Sequence, residues 1–115
     1  MNKLRPLKPS MREKTRHVAF EIVTNDKSNS IDFKQADNAI LSSIKSLIGD
    51  LGVAKASPIV VKNLYKDNKG VIKTERKYVD HIKASLSLIT NINNNQVIVI
   101  STKTSGMIKK ATEAL

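Results

Sequence analysis

S-P-I-V-V-K-N-L-Y-K-D-N-K-G-V-I-K-T-E-R, residues 57–76, is the stretch on which the fold turns. Two runs rich in β-branched and apolar residues, Ile59 to Lys66 and Val71 to Glu75, flank the turn-forming segment Asp67 to Gly70. Such a pattern predicts two strands joined as a β-hairpin. Both neighbours of the hairpin read as helices. Upstream, Phe33, Ala36, Ile40, Ile44, Leu47 and Ile48 recur at three- and four-residue spacing, so the helix is placed over Asp32 to Ile48. Asp32 with Gln35 is a capping-box variant, and Gly49 and Gly52 are read as its stop. Downstream, Tyr78, Val79, Ile82, Leu86 and Ile89 repeat at helical spacing.

The outer segments complete the order. Arg16 to Thr24 alternates as a strand, with Val18, Phe20 and Ile22 on one face and Ala19, Glu21 and Val23 on the other. N-I-N-N-N-Q, residues 91–96, reads as a polar loop, and Gln96 to Thr102 as a β-branched strand covered on at least one face. Ser105 to Leu115 reads as a short helix with Ile108, Ala111 and Leu115 on one side. The predicted order is β-α-β-β-α-β plus a C-terminal helix. That is an α+β, ferredoxin-like (RNA-recognition-motif-like) sandwich. Its four-stranded antiparallel sheet carries two helices on one face and leaves the other face free. Residues 1–15, with Pro6 and Pro9 and no apolar periodicity, are read as a basic flexible arm, and residues 16–115 as a single domain.

Composition narrows the function. The aromatics are Phe20, Phe33, Tyr65 and Tyr78, so the core must be aliphatic. The absence of cysteine excludes disulfides, thiolate metal sites and cysteine nucleophiles, and fits a cytoplasmic protein. No apolar run approaches a membrane span. Twenty Lys and Arg against ten Asp and Glu give a formal net charge of +10, which favours a polyanionic partner, RNA or DNA ahead of an acidic membrane surface.

No catalytic constellation is present. His17 and His81 fall in different elements without acids at metal-motif spacing, and each reads as a surface or strand-edge residue. Neither a G-x-S-x-G elbow nor a phosphate-cradling G-x-x-x-x-G-K loop occurs. No catalytic site, metal site or bound cofactor is expected in this polypeptide. Base stacking on the sheet is also disfavoured. Phe20 is in phase with the core residues, and the strand V-I-K-T-E-R has no aromatic, so RNA contact would run through phosphates and shape. Three basic clusters are the candidates: Arg5, Arg12, Lys14 and Arg16 in and beside the arm; Lys73, Arg76 and Lys77 around the end of the hairpin; and S-G-M-I-K-K, with Ser105, Gly106, Lys109 and Lys110. Ser105 suits an N-cap, and Gly106 leaves room for a phosphate at free N–H groups. Spacing alone leaves a solvated cap and a phosphate grip both open.

Four segments together resemble the ribonuclease P protein component 2 family: R-H-V-A-F-E-I-V, I-K-S-L-I-G-D-L-G-V-A-K-A-S-P, K-Y-V-D-H-I-K-A-S-L-S-L-I-T and V-I-V-I-S-T-K-T-S-G-M-I-K-K. The likeness runs over about residues 15 to 112, with the G-D-L-G step and the S-G-x-I-K-K ending weighing most. Met107 and Lys73 depart from the family's usual threonine and frequent arginine. The resemblance implies a ferredoxin-like fold and a subunit of the ribonucleoprotein that removes the 5′ leader from precursor tRNA. It implies that the RNA is the catalyst and uses Mg²⁺. It also implies a larger, barrel-shaped protein partner, with two pairs forming a heterotetramer. The free sheet face, or the last helix with Ile108 and Ala111, is the expected docking surface. The alternatives are a general RNA-binding or ribosome-associated module and, last, a small-molecule regulatory domain.

Overall fold

The computed structural model describes residues 15–25, 30–107 and 110–111. Five strands and two helices follow in the order β1 (Thr15–Thr24), α1 (Phe33–Ala56), β2 (Ile59–Val60), β3 (Lys69–Glu75), α2 (Val79–Ser87), β4 (Asn91–Ile92) and β5 (Asn95–Ser105). The sheet order is β2-β3-β1-β5-β4, and every pairing is antiparallel. The fold is therefore α+β with a five-stranded sheet rather than the expected four strands.

Alternation along β1 divides the molecule. Phe20 and Ile22, with Ile72, Val97 and Val99, face α1 and α2 and pack on Ala36, Ile40, Ile44, Ile82 and Leu86. Burying these aliphatic chains is the main favourable term in folding. Three of the four aromatics meet at one end of this core. The Tyr65 ring lies 6.4 Å from Phe20 and 6.0 Å from Phe33. The Tyr65 hydroxyl donates to the Ile31 carbonyl, and burial followed by the nearby Asp32 pushes its pKa up to about 12. On the opposite face, Ala19 and Val71 are covered by Ala111, with Leu64 beside them.

The capping box forms as expected: Asp32 Oδ1 accepts from the Gln35 N–H at 2.8 Å, and the Gln35 side chain accepts from the Asp32 N–H. Gly49 does not end α1. It kinks the helix with φ 74° and ψ 177°, a left-handed φ that favours glycine, and a second limb continues to Ala56. Ala56 is buried and Val53 packs against the core, so tertiary contact carries the helix past both glycines. The true stop is Ser57, left-handed at φ 47° and followed by Pro58.

The hairpin is also shorter than its pattern. Only Ile59–Val60 pairs as β2; Lys62–Leu64 then forms a 3-10 turn before the isolated bridge Lys66–Lys69. Asp67 and Asn68 both take positive φ, which is type I′ turn geometry. Asn93 and Asn94 do the same between β4 and β5, so the polar loop is itself a hairpin and supplies the extra strand.

Candidate nucleic-acid interface

Antiparallel pairing decides which basic residues meet. β1 is central, with β3 and β5 on either side, so the start of β1 and the ends of β3 and β5 share one end of the sheet. The register makes this concrete. Thr15 faces Glu75, Arg16 faces Thr74, and a row runs Ile59–Lys73–His17–Ser105 across four strands. Lys73 is exposed on that row. Arg76 and Lys77 follow at once in a 3-10 turn, both exposed. Thr15, assigned to the arm by the sequence pattern, belongs to β1.

The S-G-M ending joins the same place. β5 extends to Ser105, so Ser105 ends a strand rather than opening a helix. Its hydroxyl still works as a cap would, accepting the Met107 N–H at 3.1 Å. The Lys110 and Ala111 N–H groups donate to the Met107 carbonyl at 3.1 and 3.3 Å, and both residues are helical. Ala111 is then buried on Ala19 and Val71, the row next to His17–Lys73, which draws exposed Lys110 to this end. Gly106 lies against Arg16: a Cβ there would stand 3.3 Å from Nη1. Arg16 Nη1 itself donates to the Thr15 carbonyl at 2.8 Å. Arg16, Lys73, Arg76, Lys77, Ser105, Gly106 and Lys110 are thus brought together. Arg5, Arg12, Lys14 and Lys109 lie outside the described residues, as does the last helix beyond Ala111.

One member was misjudged from sequence. His17 is not a surface residue; it is 9% exposed, in the middle of the Lys73–Ser105 row. Burial first, and then Lys73, lower its pKa from 6.5, partly opposed by its hydrogen bond to the Ser105 backbone. Its Nδ1 is buried and has no hydrogen-bond partner. The available signal was phase, since His17 shares a face with Ala19, but what covers that face comes from the distant C-terminal segment. His81, by contrast, is exposed beside Tyr78. Among the described residues no cluster of three His, Asp or Glu could hold a metal ion. No helix among them is long and apolar enough to cross a membrane.

Two groups of apolar side chains reach the surface away from this end. Leu47, Ile48 and Leu51 line a groove with Tyr78 and His81 between α1 and α2, where Leu51 is 69% exposed. Val23, Ile98 and Ile100 are exposed on the sheet face away from the helices, at the end opposite the basic residues.

The family model described as the Rpp14/Pop5 family matches residues 16–115. The chain is 33% identical over 108 residues to "Ribonuclease P protein component 2" of Pyrococcus abyssi, covering 94% of this chain and 89% of that protein. It is 34% identical over 110 residues to the protein of the same name in Methanocaldococcus jannaschii, covering 94% and 77%. A chain in the cryo-EM structure of yeast ribonuclease MRP shares the fold, with TM-score 0.68 and 13% identity over 85% of this chain and 78% of that one.

Proposed function

The chain belongs to the Rpp14/Pop5 family as a protein subunit of ribonuclease P, and on that premise we propose that it holds the particle's RNA by the basic end of its sheet. The reading is electrostatic. Cations at this end neutralise backbone phosphates where RNA strands crowd together, which lowers the Mg²⁺ the RNA needs to keep its catalytic fold during removal of the 5′ leader from precursor tRNA. The polypeptide contributes no reacting group, and Mg²⁺ serves the RNA. The observation that carries the reading is the gathering of Arg16, Lys73, Arg76, Lys77 and Lys110 at one sheet end by antiparallel pairing.

The sheet order β2-β3-β1-β5 supports a ferredoxin-like core with the β4 hairpin appended. For the larger barrel-type subunit, and for the two-pair heterotetramer, the support is family membership together with exposed Val23, Ile98 and Ile100 on the sheet face. A cytoplasmic particle goes with this assignment.

The test compares two variants of equal charge loss. One replaces Lys73, Arg76, Lys77 and Lys110 with Ala; the other replaces exposed Lys34, Lys45, Lys62 and Lys66. The first should flatten the salt dependence of RNA binding by about one unit of slope per lost phosphate contact and raise the Mg²⁺ needed for precursor tRNA cleavage. Equal effects from both variants would leave only net charge, and sink the site. Sequencing the RNA that co-purifies with a tagged chain separates ribonuclease P RNA from ribosomal RNA, and so tests the alternative of a ribosome-associated module.

A further inference from the structure

His17 is chemically out of place. It stands in a row with exposed Lys73 on one side and Ser105 on the other, at the end of the sheet where the cations gather. Its Nδ1 is buried with no hydrogen-bond partner, and the Ser105 backbone lies beside the ring. The free protein therefore holds a neutral imidazole with a buried, unsatisfied Nδ1, which is costly wherever it is not used.

The surroundings say what would use it. Lys73 faces His17 from β3 with Glu75 two residues on; Arg16 adjoins it on β1; Lys103 lies one row away on β5; Ile59 of β2 is apolar; and Lys110 comes in with the C-terminal turn. Apart from Glu75 these charges are positive, so a proton on Nδ1 is opposed until a negative group arrives. A phosphate diester is such a group. It offsets the Lys73 charge that opposes a second proton on the ring.

We propose that His17 is the proton-linked residue of the RNA-binding end: docking of an RNA phosphate beside Lys73, its cross-strand neighbour, is accompanied by proton uptake from solvent onto the His17 ring. This rests on the RNA-binding reading above. The sign follows from linkage. His17 in the free chain titrates below the ordinary value of 6.5, so it is neutral near pH 7. A bound phosphate raises that midpoint, and by reciprocity a lower pH tightens binding until the free imidazole is itself protonated.

The experiment uses the full chain and a hairpin RNA of mixed sequence. NMR follows the His17 ring through pH with and without RNA, with exposed His81 as internal reference. Binding is measured by fluorescence anisotropy for wild type and His17→Gln, which keeps a polar side chain but takes up no proton. The His17 midpoint should rise on binding, and wild-type affinity should fall roughly fivefold from about pH 6 to about pH 8, with a much flatter profile in His17→Gln. An unmoved His17 midpoint overturns the proposal, and needs no variant. Salt-sensitive binding that is lost with the Lys73, Arg76, Lys77 and Lys110 substitutions but shows no pH dependence overturns the His17 role alone. Absent binding, or binding indifferent to those substitutions, removes the RNA-binding reading and the proposal together.

Discussion

Gly70 illustrates how much one position can decide. It pairs with Phe20 across β1 and β3, and a Cβ there would lie 2.8 Å from the tip of the Phe20 ring and 3.0 Å from the Tyr65 ring. Both rings are packed within the aromatic cluster, so neither gives way freely. Gly70→Ala should therefore destabilise by about 1–3 kcal/mol, as overpacking of a filled core does. Urea unfolding checks it: the midpoint falls while the slope stays constant. An unchanged midpoint would mean that the rings can move. From sequence Gly70 reads only as a turn residue. Its part in packing depends on two aromatics 50 and 5 positions away by number, which no local pattern announces. His17 is hidden for the same reason: a basic strand start looks exposed until Ala111 is laid on the neighbouring row.

At the scale of elements, local chemistry gave reliable types and poorer bounds. The Asp32–Gln35 capping box was legible because both partners are three residues apart. Gly49 was legible as a break, but not as a kink within a longer helix, because burial of Ala56 and packing of Val53 lie beyond it. The Asn93–Asn94 hairpin was missed because three consecutive asparagines read as loop, although asparagine tolerates left-handed backbone. The two type I′ turns now make a paired prediction. Asn68 Oδ1 accepts the Ile31 N–H at 2.8 Å, tying the turn to the entry of α1. Asn68→Gly should cost about 1–2 kcal/mol through that lost bond. Asn94→Gly should be neutral or slightly stabilising, since glycine relieves a positive φ of 64°. Thermal melts run side by side decide it, and equal losses at both turns would show that the Asn68 bond carries no weight.

Across the whole molecule the charge is unbalanced. Among the described residues one salt bridge occurs, Lys45–Asp50 at 3.3 Å, and both side chains are largely exposed, where such a pair is worth little. With a net +10 the free chain repels itself. Its melting temperature should rise between about 10 and 200 mM salt as screening sets in, while RNA binding weakens over the same range. A melting temperature indifferent to salt would mean that the cations are spaced widely enough not to interact.

By itself the sequence determined the α+β class, the antiparallel order up to the β4 hairpin, the aliphatic core face of β1 and the excess of cations, because these rest on period, propensity and composition. It also carried the family likeness in contiguous segments. Only the tertiary structure decided that Arg16, Lys73, Arg76, Lys77, Ser105, Gly106 and Lys110 share one end of the sheet, and that His17 sits buried there. Register across β3, β1 and β5 sets those neighbours, and register is a relation between residues 48 to 88 positions apart rather than a property of any one segment.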